Sequence, residues 1–98
     1  MLIIVGTIRL PPENLAGARE AMERMITASR AEEGCLAYSY SEDILEPGLM
    51  HVTERWDDEA SLKRHWKSAH LIQWRAACAA LGLRDRNLQL YAAEATTI

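Results

Sequence analysis

The apolar residues near the start of the chain change period at a pair of prolines, and that change constrains the fold more than any other feature. Residues 2–10 are dense in Ile, Val and Thr and stop at Pro11-Pro12, where two consecutive amide donors are lost and a ladder cannot continue. From 13 to 32 the pattern lengthens: Leu15, Ala18, Met22, Met25, Ile26 and Ser29 recur at helical spacing with charged neighbours on the outer side. An amphipathic helix therefore follows the first strand, and Gly34 supplies its stop, because glycine reaches the left-handed conformation without penalty.

Cys35–Ile44 reads as a second strand, with Leu36, Tyr38 and Tyr40 on one face and Ala37, Ser39 and Ser41 on the other. Glu46-Pro47-Gly48 is a turn, so Leu49–Trp56 returns antiparallel to it. Asp57 or Asp58 can cap the next helix, which runs through Leu62 and Trp66 towards Lys67. Ser68 can cap another, with Leu71, Trp74, Cys78 and Leu81 on one stripe before Gly82. A final strand is expected over 88–93.

The order is β-α-β-β-α-β with the second helical region broken in two. This is an α+β, ferredoxin-like arrangement: helices on one face of a four-stranded antiparallel sheet, in a single domain over residues 1–98. A sheet covered on one side should alternate cleanly between apolar and polar residues. Strand one instead carries Leu2, Ile4 and Ile8 on one face and Ile3 and Val5 on the other, and strand three sets Met50, Val52 and Trp56 opposite Leu49. Both faces read as partly buried. The simplest occupant of the helix-free face is the same face of a second copy, giving a face-to-face homodimer or a closed barrel of two sheets, a dimeric α/β barrel. Composition points the same way, since 49% of residues are apolar and a chain this short buries only about 60 to 65% of its unfolded surface.

Several classes are disfavoured. Eleven basic residues against 14 acidic ones give a net charge of −3, spread along the chain, which is no footprint for nucleic acid. The leading run MLIIVGTIRLPPE is too short to cross a bilayer and lacks a basic leader, so a cytoplasmic protein with no membrane partner is expected. Cys35 and Cys78 form no CxxC and are read as reduced thiols. Cys35 follows the carboxy-terminal end of a helix, the wrong end to lower a thiol pKa. Phosphate-binding glycine loops, a GxSxG elbow and a dinucleotide fingerprint are absent.

The groups with chemical potential are few. His65 and His70 are five residues apart, about 140° around a regular helix, and no cysteine or carboxylate sits near them at ligand spacing, so no metal is expected. A break at Lys67-Ser68-Ala69 could still turn both rings towards one cavity, where an imidazole suits proton transfer near neutrality. The structural alternative is that His65 packs against the sheet and His70 occupies a first helical turn. Glu54 shares a strand face with apolar residues and needs a partner, with Arg9, Arg55 and Tyr91 as candidates. It is either a buried structural acceptor or a pocket group. Trp56 and Trp74 read as core. Trp66 could wall a pocket for a flat organic ligand, with Tyr38, Tyr40, Met22 and Met50.

Three strings, Arg30-Ala31-Glu32-Glu33-Gly34-Cys35-Leu36-Ala37-Tyr38, Glu54-Arg55-Trp56-Asp57-Asp58-Glu59-Ala60 and His65-Trp66-Lys67-Ser68-Ala69-His70, resemble the antibiotic biosynthesis monooxygenase family, including its quinol-monooxygenase-like members. The resemblance implies a ferredoxin-like protomer in a homodimer, with a pocket between sheet and helices. It implies oxygenation of a small phenolic or quinol-type molecule by dioxygen without metal, flavin or haem. Carried onto this chain, His65, His70 and Glu54 would be the catalytic residues, and Trp66, Tyr40, Tyr38, Met22, Met50, Arg9 and Arg55 the substrate pocket. His65 would accept or position the phenolic proton while Trp66 and Tyr40 confine the ring. Haem-degrading relatives use an asparagine, tryptophan and histidine set whose order Asn14, Asn87 and Trp66 do not reproduce. Two alternatives stay open. One is an isomerase of a small keto or phosphorylated metabolite, which would want Arg9, Arg55 or Lys67 facing a small polar cavity. The other is a non-catalytic dimeric binding protein, with the histidines in solvent or core and no cavity.

Overall fold

The computed structural model describes residues 1–98. Strand β1 (Leu2–Arg9) leads through a single 3-10 turn (Pro12–Asn14) into helix α1 (Leu15–Arg30). Strands β2 (Cys35–Glu42) and β3 (Leu49–Trp56) form a hairpin, helices α2 (Glu59–Trp66) and α3 (Ala69–Leu81) follow, and β4 (Arg84–Ala92) closes the order. The sheet order is β2-β3-β1-β4, every neighbouring pair antiparallel, with the helices on one face. This is the expected ferredoxin-like topology. The sheet is open, not closed on itself.

Strand β3 shows how one face became the core. Met50, Val52, Glu54 and Trp56 point inwards and are buried, while His51, Thr53 and Arg55 between them are exposed. The helix-free face is therefore more polar than the sequence pattern suggested. Its central apolar groups are Ile3 and Val5, flanked by Thr7, His51, Thr53 and Arg55 at paired positions. On the other face Ile4, Ile8, Met22, Met25, Tyr38, Val52, Trp56, Leu62, Leu71 and Trp74 make one contiguous core. Fully burying a large apolar side chain of this kind contributes about 1.5–3 kcal/mol.

Two strands differ from expectation for identifiable reasons. In β2 the register runs from Cys35 opposite Trp56 to Ala37 opposite Arg55, so Leu36 is the extra residue of a bulge. Simple alternation placed Leu36 beside Tyr38 and Tyr40; the bulge shifts the parity, and Leu36 is half exposed while Cys35 packs on the core. Strand β4 begins at Arg84, four residues before its expected start. It is an edge strand with few inward neighbours, so Arg-Asp-Arg-Asn can enter the ladder without an apolar signal. Strand β2 stops at Glu42, where Asp43 Oδ1 accepts the amide protons of Leu45 and Glu46 and turns the chain early.

Both capped helix starts have local causes. Asp58 Oδ1 accepts from the Ser61 amide at 2.9 Å and starts α2. Ser68 is extended at the break: its Oγ donates to the His65 carbonyl at 2.6 Å, closing α2, and accepts from the Leu71 amide, opening α3. That one residue redirects the chain between the two histidines. No helix is long and apolar enough to cross a membrane.

Candidate active site

The last turn of α2 delivers His65 into the space between the helices and the sheet. Its ring lies 4.6 Å, centroid to centroid, from the indole of Trp56 and 5.3 Å from the phenol of Tyr38, and the residue is only 1% exposed. A ring this buried needs a partner inside the protein for the proton it carries. Nδ1 lies 2.5 Å from Oε2 of Glu32, which sits just beyond the end of α1. A carboxylate only accepts, so Nδ1 carries the proton and the neutral ring keeps its lone pair on Nε2. Nε2 faces Glu54, 4.0 Å from Oε1.

Glu32 reaches this position because Gly34 lets the α1–β2 loop lie flat on the start of α2. Gly34 has φ +84°, and a Cβ there would collide with the Ser61 side chain and the Asp57 carboxylate. The Asp57 amide donates to the Gly34 carbonyl at 2.9 Å, clamping the same contact. His70 Nε2 also meets Glu32 Oε2, at 3.1 Å, so one carboxylate oxygen joins both rings across the break. The ligating atoms of Glu32, His65 and His70 all lie within 4.8 Å of one another, a donor set of the kind that holds a divalent cation. Sequence spacing hid this set, because its carboxylate lies 33 residues before His65.

Burial sets the protonation of the groups around the ring. Desolvation draws His65 below its ordinary pKa near 6.5, opposed by the hydrogen bond and charge of Glu32. Desolvation raises Glu54 above the usual carboxylate range; the indole N–H of Trp56, donating to Oε1 at 3.0 Å, pulls the other way, as do the charges of Arg86 and Arg75. The Tyr40 hydroxyl is pushed up to about 12 by burial, and that of Tyr38 is raised further for the same reason. Burial also raises both thiols, so neither Cys35 nor Cys78 is an activated nucleophile.

A cavity of about 740 Å³ opens beside His65, between the helices and the sheet, with lining residues from β2 across to β4. Ile4, Ile8, Leu71, Leu83, Leu88 and Leu90 make its apolar lining, Tyr38, Tyr40, Trp66 and Trp74 its aromatic one, and Glu54, His65, Arg75 and Arg86 its charged or titratable one. Of the residues expected at the site, Glu54, His65, Trp66, Tyr38 and Tyr40 line this cavity. Trp66 is 41% exposed at its edge.

The remaining expected residues lie elsewhere. His70 does not line the cavity; it stands behind His65, on Glu32. Met22 and Met50 are buried core residues that do not line the cavity. Arg9 is held at the far end of β1 by Glu46 at 3.0 Å, with Asp85 at 3.8 Å. Arg55 points from the opposite face of β3, where strand alternation puts every odd-numbered neighbour of Glu54. The cations of the cavity are instead Arg75 and Arg86. Arg75 follows Leu71 by one helical turn and precedes Cys78 on the same stripe, and Arg86 shares a strand face with Leu88 and Leu90. That periodicity was the available signal for both. Glu32 had none beyond its place in the string before Gly34.

Residues 1–77 match the family described as antibiotic biosynthesis monooxygenase. YcnE of Bacillus subtilis, provisionally named a monooxygenase, is 31% identical over 70 residues, covering 71% of this chain and 74% of its own length. Rv0793 of Mycobacterium tuberculosis, named in the same way, is 32% identical over 65 residues, 66% of this chain and 63% of its own. A solved structure from Deinococcus radiodurans, provisionally assigned as an antibiotic biosynthesis monooxygenase, superposes with a TM-score of 0.89 at 33% identity, covering 100% of this chain and 98% of that one.

Proposed function

The chain belongs to the antibiotic biosynthesis monooxygenase family, and from that premise we propose that it is a cofactor-independent monooxygenase of a small phenolic or quinol-type substrate, with His65 as the base. The observation that carries this reading is the His65 ring at the wall of an aromatic cavity, its Nδ1 tied to Glu32 and its Nε2 lone pair left for a substrate proton. Deprotonating a bound phenol gives an electron-rich anion able to reduce dioxygen. The C–O bond forms by recombination at the ring carbon, and loss of water from the resulting hydroperoxide leaves a quinone. One dioxygen is consumed and one water released; the substrate is oxidised by four electrons, two of which, with two of its hydrogens, reduce the second oxygen atom to water. The chain contributes the base, the orientation of the ring between Trp66 and Tyr40, and exclusion of water.

The cavity's size and apolar walls favour this reading over isomerisation of a small polar metabolite, and its presence favours it over a non-catalytic role. The test is oxygen uptake by metal-stripped protein with a panel of quinols and naphthols, His65→Gln beside wild type. Uptake above the autoxidation blank that falls at least tenfold in the variant supports the reading. Uptake equal to the blank across the panel sinks it.

The same proposal includes a homodimer formed through the helix-free face. Val5 and Tyr91, both 36% or more exposed on that side of β1 and β4, support it. A monomer by light scattering at working concentration, unchanged by Val5→Lys, would exclude this assembly.

A further inference from the structure

The cavity carries a charge imbalance that proton transfer at His65 leaves unexplained. Glu54 is its one carboxylate, buried at 5% exposure, while Arg75 and Arg86 supply two guanidiniums from opposite walls, α3 and β4. Neither arginine has an ion pair within the chain, in contrast to Arg9, Arg19 and Arg24, each held by a glutamate. Exposed unpaired arginines are ordinary on a protein surface. These two differ because their neighbours on both elements are cavity-lining apolar residues: Leu71 and Cys78 around Arg75, Leu88 and Leu90 after Arg86. Their stems extend the apolar wall, and their charged heads stand at its border with water.

A cavity that is apolar and aromatic within, and doubly cationic at its border, matches a ligand with the reverse arrangement. We propose that the substrate is an aromatic hydroxy compound bearing an oxyanion, a carboxylate or phosphate group, held between Arg75 and Arg86 with its hydroxyl directed to His65. This rests on the reading of His65 as the base. Guanidinium forks bind such oxyanions through paired, charge-assisted hydrogen bonds, and two forks from separate elements fix direction as well as position. The anchoring fixes which end of the ring meets His65, which a purely apolar slot would leave undetermined.

Binding can be read independently of turnover, because Trp66 and Trp74 line the cavity and their emission reports a ligand. Three probes suffice: neutral 2-naphthol, 6-hydroxy-2-naphthoate and 2-naphthyl phosphate. The expected result is that at least one anion binds about tenfold or more tightly than 2-naphthol, as a hydrogen bond to a charged group contributes about 1.5–3 kcal/mol. The preference should weaken as salt rises. It should collapse towards unity in the Arg75→Gln/Arg86→Gln double variant and persist in Arg24→Gln, whose side chain lies on the outer face of α1. The better of the two anions decides between carboxylate and phosphate. Equal affinity for all three probes, or a preference untouched by the double variant, overturns the proposal. Arginine-dependent anion binding without oxygen uptake would sink the oxygenase reading and leave the anion site standing. Turnover of 2-naphthol with no anion preference would do the reverse, and no binding by any probe would end both.

Discussion

Oε2 of Glu32 lies 2.5 Å from Nδ1 of His65 and 3.1 Å from Nε2 of His70, so a residue beyond the first helix fixes the orientation of a ring at the end of the second. The contact spans 33 residues of sequence and sets which nitrogen of His65 is free.

Glu32→Gln should lower kcat with little change in KM, by about tenfold or more, a part of the factor of about 10²–10⁴ that a positioned base contributes. The amide keeps the size of the carboxylate but can also donate, so it no longer enforces the Nδ1–H tautomer. Steady-state oxygen uptake, with the melting temperature as a fold control, reads this. An unchanged kcat would remove Glu32 from the positioning of His65.

The lowered pKa of His65 has two pH signatures. Activity should persist below the ordinary imidazole range, its acid limb falling under pH 6.5, because the base stays unprotonated there. Stability follows the same sign: the unfolded chain binds a proton near 6.5 before the folded one does, so stability is full above that value. It is lost as pH falls towards the depressed folded pKa. Denaturant midpoints of wild type and His65→Gln across this window should converge at the acid end. A difference between the two midpoints that fails to shrink on acidification would contradict the assignment.

Glu54 titrates in the opposite sense. Its folded pKa is raised by burial, so the folded state holds a proton that the unfolded state has released, and its contribution is lost as pH rises through the folded pKa. Glu54→Gln keeps an acceptor for the Trp56 indole and should raise the melting temperature near neutrality while changing little at pH 4, close to the ordinary carboxylate value. Destabilisation at neutral pH would show that the charged carboxylate has a structural partner instead.

The two tryptophans at the site should separate stability from binding. Trp56 is fully buried against His65 and Tyr38, and Trp56→Ala should cost about 3–5 kcal/mol in denaturant unfolding. Trp66 is 41% exposed, and Trp66→Ala should leave stability near wild type while raising KM severalfold. Equal destabilisation by both would make Trp66 a core residue in solution.

Chelation tests the independence from metal against the donor set of Glu32, His65 and His70. Activity should survive dialysis against a strong chelator, and added zinc should inhibit, since coordination of Nδ1 forces the proton onto Nε2 and removes the base. Loss of activity on chelation, restored by one particular cation, would make this set a catalytic metal centre.

The elements were legible wherever a residue acts through its neighbours in sequence. Pro11-Pro12, the helical spacing from Leu15 to Ser29, the Asp58 and Ser68 caps and Gly82 at φ +75° are local devices, and each marks a real boundary. Alternation failed at Leu36, because a bulge inserts one residue and reverses the parity that sequence reading assumes. It failed again at the start of β4, where an edge strand carries no apolar demand.

The sequence by itself determined the order of elements, the helix break between the two histidines and the candidacy of His65, Glu54, Trp66, Tyr38 and Tyr40. Tertiary structure alone decided that His70 stands behind His65, that Glu32 joins them, and that Arg75 and Arg86 replace Arg9 and Arg55 as the cations of the cavity. The physical reason is range. Caps, turns and periodicity are settled within a few residues of backbone geometry, whereas a carboxylate meeting an imidazole 33 positions away depends on how two layers pack.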